Sequence, residues 1–376
     1  MRALILSCNT GGGHNSAARA IAEEFRDHGD EAYVFDYLCL AGKGISKLVG
    51  DGYVQIVKKT PLLFGLIYKL GMIISRITRK SPVYYINGRM AKYLSNYLKE
   101  HPADVLIMPH LYPAETITYM KRKGMELPIT IAVMTDYTCI PFWEETDCDY
   151  YVLAHEALRK SCIKKGIPNE KIQTFGIPVV KSCRLKISKK EARKKLGLKL
   201  DQKYFLVAGG SMGAGDFTEL IQKLISSTNT EQILAICGNN RKAERKLKKK
   251  FKKCSRVMVL GFTKQMPLYL SACDVVFTKP GGLTSTEAAV IGVPIIHTTP
   301  IPGCETINRR FFIHTGMSLS ALTLKGQVNK GIRLINDLEV QKKMKNCQAK
   351  QIHEDAVKQL YQFVCLQYNA IKEHTS

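Results

Sequence analysis

At 376 residues the chain exceeds what one hydrophobic core usually holds, so two domains are expected, and 45% hydrophobic content argues against a disordered chain. Lys+Arg number 56 against 32 Asp+Glu, a formal charge of +24 that draws polyanions: nucleic acid, anionic lipid or anionic metabolites. No zinc-finger spacing, RNP-type aromatic motif or basic zipper supplies a nucleic-acid reader, so nucleic acid drops out as a partner.

The 12 cysteines stand singly from Cys8 to Cys365 with no C-x-x-C pair, so neither a disulfide framework nor a metal cluster is expected. They read as small apolar fillers in a reducing cytosol. Met1-Arg2 runs straight into Ala3-Leu4-Ile5-Leu6 without a signal-peptide pattern, and no apolar run is long enough to span a bilayer.

Residues 2–7 read as a buried first strand, Gly11-Gly12-Gly13-His14 as the turn after it, and residues 15–26 as a helix. There is no G-K-[ST] and no G-x-G-x-x-G frame, so neither a P-loop nor a dinucleotide site is implied. The distinctive residue is His14, beside Gly13 at the strand mouth where open α/β sheets bind ligands. It is either a general base with a pKa near neutrality or a residue that caps and orients the turn. A second strand covers residues 31–37. Residues 61–80, PLLFGLIYKLGMIISRITRK, then mix large apolar side chains with Lys69, Arg76, Arg79 and Lys80, behind Lys58 and Lys59. Too short and too charged to span, this segment is either an amphipathic helix lying in an anionic membrane interface or a helix packed on the domain core.

Strands over 104–108 and 129–134 end at Pro109-His110 and Thr135-Asp136, delivering polar side chains on the ligand side of the sheet. Asp136 can orient His14, act as the base itself, or cap the next segment; His110 is the weaker candidate. Trp143 either borders the acceptor site or anchors its loop. Strands over 149–153 and 172–179, with a helix over 154–165, complete a first domain at 1–180. The charged segment 181–195 lacks an apolar period and reads as a linker to a second domain at 196–354.

In that domain a strand over 204–208 enters Gly209-Gly210-Ser211-Met212-Gly213, and a strand over 232–237 precedes a very basic helix over 241–253. After a strand over 257–262, a β-rich run at 275–277 ends at Pro280-Gly281-Gly282. Thr284 or Ser285 is the expected N-cap of the helix that follows. The backbone N–H groups from Gly281, Gly282, Leu283 and Thr284 would lie at the positive end of its dipole, an anion site suited to a diphosphate. Glu287 would reach a ribose diol. A strand over 293–297 leads to a Pro-rich loop carrying Glu305 and Asn308, suited to sugar hydroxyls. The bland alternative is an ordinary βα turn whose Gly and Thr serve only geometry. An amphipathic helical tail covers 355–371.

GFTKQMPLYLSACDVVFTKPGGLTSTEAAVIGVPII, together with GGGHNSAARAI near the N-terminus, resembles the bacterial processive diacylglycerol glucosyltransferases and the plant monogalactosyldiacylglycerol synthases. The likeness is more distant to the GlcNAc transferase that completes the lipid-linked peptidoglycan precursor, and it runs over about residues 1–312 on motif spacing. It implies an α/β fold of two Rossmann-like domains facing a cleft, the glycosyltransferase-B architecture, with the last helix (355–376) crossing back to the first domain. It also implies a UDP-sugar donor, with Phe262 and Met266 around the uracil and Gly210-Ser211 as the donor-side glycine loop. Relatives commonly read PGQE where this chain has Pro302-Gly303-Cys304-Glu305, which leaves the hexose open: glucose first, galactose and GlcNAc behind.

The expected reaction is an inverting transfer of a hexose from a UDP-hexose to a diacylglycerol-type lipid, by a peripheral enzyme on the cytoplasmic side of the membrane. His14 would take the acceptor's proton, and no tightly bound cofactor or metal is required, since no DxD-like pair lies at the diphosphate site. Two rivals stand: a UDP-GlcNAc-type transferase using a polyprenyl-linked acceptor, and a non-catalytic membrane-associated sensor of UDP-sugars.

Overall fold

The computed structural model describes residues 1–9, 12–42, 44, 61–78, 80–209 and 217–375, and divides into two compact units. Unit 1 comprises Met1–Lys181 with Asp355–Ser376, and unit 2 comprises Ser182–Glu354.

Unit 1 runs β1 (Arg2–Ser7), α1 (Gly12–Asp27), β2 (Glu31–Asp36), α2 (Pro61–Ile77), α3 (Pro82–Gly88), α4 (Ala91–Glu100), β3 (Val105–Met108) and α5 (Leu111–Arg122). It continues through β4 (Ile129–Val133), β5 (Tyr150–Val152), α6 (Arg159–Lys165) and β6 (Ile172–Gln173). The six strands form one parallel sheet in the order β2-β1-β3-β4-β5-β6. A parallel sheet is covered on both faces, which is why its strands read as unbroken apolar runs: Val105, Leu106, Ile107 and Met108 are all fully buried. The C-terminal helix Ala356–Thr375 belongs to this unit, burying Val357, Leu360 and Val364 in the same core as Ile5, Ile21 and Phe25. Tyr361 clasps it, edge-on to Phe25 with its hydroxyl donating to Asp30 at 2.9 Å.

Unit 2 runs α7 (Lys181–Arg184, straddling the boundary), α8 (Lys189–Lys195), β7 (Tyr204–Ala208), α9 (Thr218–Ser226), β8 (Gln232–Ile236), α10 (Arg241–Lys250), β9 (Val257–Leu260) and α11 (Met266–Ala272). β10 (Val275–Thr278), α12 (Gly282–Ile291), β11 (Ile295–His297), α13 (Cys304–His314), β12 (Leu319–Ser320), α14 (Leu324–Asn336) and α15 (Leu338–Gln351) complete it. Its parallel sheet has the order β12-β11-β10-β7-β8-β9, the doubly wound Rossmann order. Each unit is thus an open α/β sheet, as the sequence suggested, with one switch point where successive connections leave in opposite directions: β1/β3 in unit 1 and β7/β10 in unit 2.

Several boundaries differ from expectation. Helix α1 starts at Gly12 rather than residue 15, so Gly13 and His14 lie in its first turn and not ahead of it. The strand expected over 172–179 shrinks to β6, and Gly176 at φ 102° turns the chain away. The helix expected over 154–165 is a short 3₁₀ turn, Glu156–Leu158, followed by α6.

Segment 181–195, expected as a linker, is folded. Its helix α8 buries Ala192 and Arg193, and Arg193 pairs with Asp274 at 2.8 Å and lies over the Tyr204 ring. Asp274 also accepts from Lys189 and from the Tyr204 backbone N–H at 2.7 Å, fastening α8 to the start of β7. Removing one partner of a buried pair strands the other charge, so Asp274→Ala is expected to cost about 3 kcal/mol. A thermal scan of this variant that melts with the wild type would contradict that role.

Candidate active site

The C-terminal ends of β1, β3 and β4 bring five polar groups together. His14 enters from the first turn of α1, Pro109 and His110 follow β3, and Thr135-Asp136 follow β4. His14 Nδ1 lies 2.8 Å from the Pro109 carbonyl oxygen and 3.0 Å from Thr135 Oγ1. A carbonyl can only accept, so Nδ1 carries the proton and the lone pair sits on Nε2. The His110 ring meets His14 edge-on with centroids 4.5 Å apart. His110 Nδ1 in turn accepts from the Tyr112 backbone N–H at 3.1 Å, capping α5, so its own proton is on Nε2.

Burial lowers the His14 pKa below its ordinary 6.5, while the Asp136 carboxylate and the Pro109 carbonyl pull the other way. His110, more deeply buried and beside His14, is held well below 6.5. At neutral pH the pair is therefore uncharged, and His14 presents a basic nitrogen. Trp143, by contrast, is buried in a 3₁₀ turn and anchors its loop.

The apolar segment is a helix over Pro61–Ile77 with an exposed apolar face. Leu66, Ile67, Leu70, Ile73 and Ile77 are all half or more exposed, spaced as one helical stripe. The opposite side is buried at Gly71 and Ser75, with Gly71 closely facing the Phe142 ring. Core packing therefore does not account for the stripe. Tyr85 and Ile86 of α3 and Tyr93 of α4 add to the exposed apolar side chains, with Lys69, Lys80, Arg89 and Lys92 exposed among them. Among the described residues no helix is long and apolar enough to cross a membrane. Lys58, Lys59 and Arg79 lie outside the described residues, as do the side chains of Leu63, Phe64 and Arg76.

In unit 2 the end of β10 turns tightly, Gly281 N–H donating to Lys279 O at 2.8 Å, and α12 begins at Gly282. The N-cap is Gly281, not Thr284 or Ser285, and among the described residues the helix has no side-chain cap. Among the described residues nothing lies within 4 Å of where a Gly281 side chain would stand, and the first-turn amides of Gly282, Leu283 and Thr284 have no partner within the helix. Ser285 faces inward instead: its hydroxyl meets His297 Nε2 at 3.0 Å, and His297 Nδ1 meets Ser318 Oγ at 3.0 Å. Burial drives the His297 pKa down to about 3, so a neutral ring pins α12 to β11. Glu287 lies in the second turn of α12 and is 9% exposed.

Phe262, at the end of β9, is 53% exposed and so is no core residue, while Met266 is half-buried at the start of α11. β9 and β10 are three strand spacings apart, about 14 Å, comparable with an extended nucleoside diphosphate. Glu305 and Asn308 fall on α13 rather than on a loop: Gly303 at φ 119° ends the Pro-rich turn and the helix starts at Cys304. Asn308 is wholly buried. Both Glu305 oxygens are engaged, Oε1 by Lys279 Nζ at 3.1 Å and Oε2 by the Ile301 N–H at 2.7 Å. Gly210 and Ser211 lie outside the described residues. Among the described residues no group of three or more His, Cys, Asp or Glu is arranged to hold a metal.

Residues 14–179 match the family described as monogalactosyldiacylglycerol (MGDG) synthase, and residues 204–303 match the glycosyltransferase family 28 C-terminal domain. A processive diacylglycerol beta-glucosyltransferase of Staphylococcus saprophyticus is 27% identical over 338 residues, covering 89% of this chain and 84% of that protein. One of Bacillus mycoides is 28% identical over 331 residues, covering 85% and 81%. The chain is thus similar to the MGDG synthases over its first part and to the processive diacylglycerol glucosyltransferases over most of its length. Its fold is that of glycosyltransferase-B proteins: Staphylococcus aureus MnaA, in its UDP co-structure, superposes with TM-score 0.66 at 11% identity, covering 98% of this chain and 97% of that one.

The sequence assigned no role to Lys279 or His297, and it placed Thr135 on the ligand side of the sheet without giving it a partner. Lys279 had a local signal, a cation directly before Pro-Gly-Gly; the His297 and Thr135 contacts join distant segments and had none. The base geometry carries a pH prediction. With His14 as the base, kcat/KM is expected to fall as pH drops through a value below 6.5. Asp136→Asn, which removes a group favouring the imidazolium, should move that limb to lower pH. His14→Ala should cost transfer about 10²–10⁴-fold with UDP affinity unchanged in calorimetry. A limb above 6.5, or UDP affinity lost with His14, would contradict the assignment.

Proposed function

We propose that this chain is an inverting hexosyltransferase that moves glucose from UDP-glucose to diacylglycerol at an anionic membrane surface. The single observation that carries the reading is that each unit, taken by itself, holds one half of the required chemistry. One offers an imidazole with its lone pair fixed on Nε2; the other offers an open, uncapped helix start at a Rossmann switch point. His14 Nε2 takes the proton of the acceptor hydroxyl, whose oxygen attacks the anomeric carbon. Asp136 stabilises the imidazolium that forms. UDP leaves from the opposite side, its charge met by the amides of Gly282, Leu283 and Thr284, and Glu287 holds the ribose. UDP-glucose is α-linked, and the curated relatives bear the name beta-glucosyltransferase. An α donor and a β product require inversion, which a single displacement supplies.

The acceptor is insoluble, so the enzyme has to work at the lipid surface. The exposed stripe on α2, with Tyr85, Ile86 and Tyr93, supports an apolar footing in the interface, and the surrounding Lys and Arg side chains meet anionic headgroups at about 1 kcal/mol per cation. This makes a peripheral enzyme of the cytoplasmic face. The basic helix α10 adds to the same attraction.

Purified protein mixed with UDP-glucose and vesicles containing dioleoylglycerol is expected to yield β-glucosyl-diacylglycerol, separable by thin-layer chromatography. Label appearing in polyprenyl-linked lipid but not in glycerolipid, or no transfer at all, would refute the acceptor assignment. In sedimentation with phosphatidylglycerol vesicles, the triple change Leu70→Glu, Ile73→Glu, Ile77→Glu should weaken binding at least about 10-fold with UDP affinity retained. Undiminished vesicle binding by that folded variant would remove α2 from the membrane contact.

A further inference from the structure

Lys279 and Glu305 form an ion pair that is only 12% and 13% exposed, at the edge where the donor is placed. Lys279 leaves β10 at the switch point and lies two residues before Gly281, the N-cap of α12. Two residues span at most about 7 Å, which the four-carbon lysine stem covers, so its ammonium is within reach of an anion seated on the α12 amides. Glu305 stands in the first turn of α13, where the helix dipole favours a carboxylate, and its second oxygen is independently held by the Ile301 N–H. Glu305 therefore does not need Lys279 in order to stay in place. A lone carboxylate beside a diphosphate would repel it, whereas a carboxylate that brings its own cation does not.

We propose that Lys279 changes partners when the donor binds. In the free chain it rests on Glu305; on arrival of the diphosphate it turns to the more highly charged phosphates, and Glu305 Oε1 is released to accept a hydrogen bond from a hexose hydroxyl. Lys279 is then a donor-binding residue that meets the leaving group, and Glu305 grips the sugar only when a diphosphate is attached to it. The chain thereby reads sugar and diphosphate as one ligand. No bond is made or broken in the exchange, and the net charge of the pair is conserved. This inference rests on the donor site proposed above and deepens it.

Calorimetry with UDP and with UDP-glucose tests it, each variant first checked by thermal unfolding. Lys279→Met, which keeps the apolar stem, should weaken UDP about 30-fold, as expected for loss of one charge-assisted contact, and Lys279→Arg should restore most of it. Glu305→Gln should bind UDP as tightly as the wild type or tighter, yet lose the added affinity that the glucosyl group confers. The double variant should bind UDP more tightly than Lys279→Met alone, because the stranded carboxylate is gone. If Lys279→Met keeps wild-type UDP affinity, or if Glu305→Gln weakens UDP as much as Lys279→Met does, the pair is only a structural clasp and the exchange is wrong. A wild-type protein that binds no UDP would instead overturn the donor site itself.

Discussion

A carbonyl oxygen cannot donate a hydrogen bond, and that one constraint at Pro109 decides the state of His14. With Nδ1 committed to the carbonyl 2.8 Å away, the imidazole is oriented and its free lone pair is confined to Nε2. Everything chemical in unit 1 follows from keeping this arrangement neutral and in place. Thr135 supplies a second acceptor to the same proton, His110 packs edge-on and stays uncharged, and Asp136 tempers the burial that would otherwise make the nitrogen too weak a base. The sheet makes the convergence cheap in sequence terms, because β1, β3 and β4 are adjacent and parallel and end on one edge.

Unit 2 solves a different problem with the same sheet. A leaving nucleotide needs positive potential without bulk, and the glycines at 281 and 282 leave backbone amides at a helix start that has no side-chain cap among the described residues. What holds that helix still is a neutral histidine bridging two serines from α12 and from the segment before β12. Burial keeps His297 uncharged, so the pin adds no cation of its own beside the helix start.

The parts of this arrangement legible in the sequence were those with local signatures. Apolar runs marked the parallel strands, and the Gly-rich turns marked where strands pass to helices. The alternation of these signals pointed to two Rossmann-like sheets. The motifs around His14 and Lys279 pointed to the family and, with it, to the role of the last helix, which packs Val357, Leu360 and Val364 into unit 1. Helix starts were less legible. At α12 a glycine takes the place of a side-chain cap, and at both α1 and α12 the pattern suggested starts three or four residues late. The proline content before Gly303 suggested a loop through Asn308, yet one positive-φ glycine was enough to begin a helix at Cys304. Long-range pairs had no local trace. Ser285 with His297, Glu305 with Lys279, and His14 with Thr135 are 12, 26 and 121 residues apart, and only folding brings them together.

The central claim is a protonation state, so the most direct test reads protons rather than rates. In protein labelled with ¹⁵N at histidine, the His14 resonances can be assigned by their absence from the His14→Gln variant. At neutral pH the account predicts a protonated Nδ1 and an unprotonated, pyridine-like Nε2. A reversed tautomer, or an imidazolium at pH 7, would contradict it.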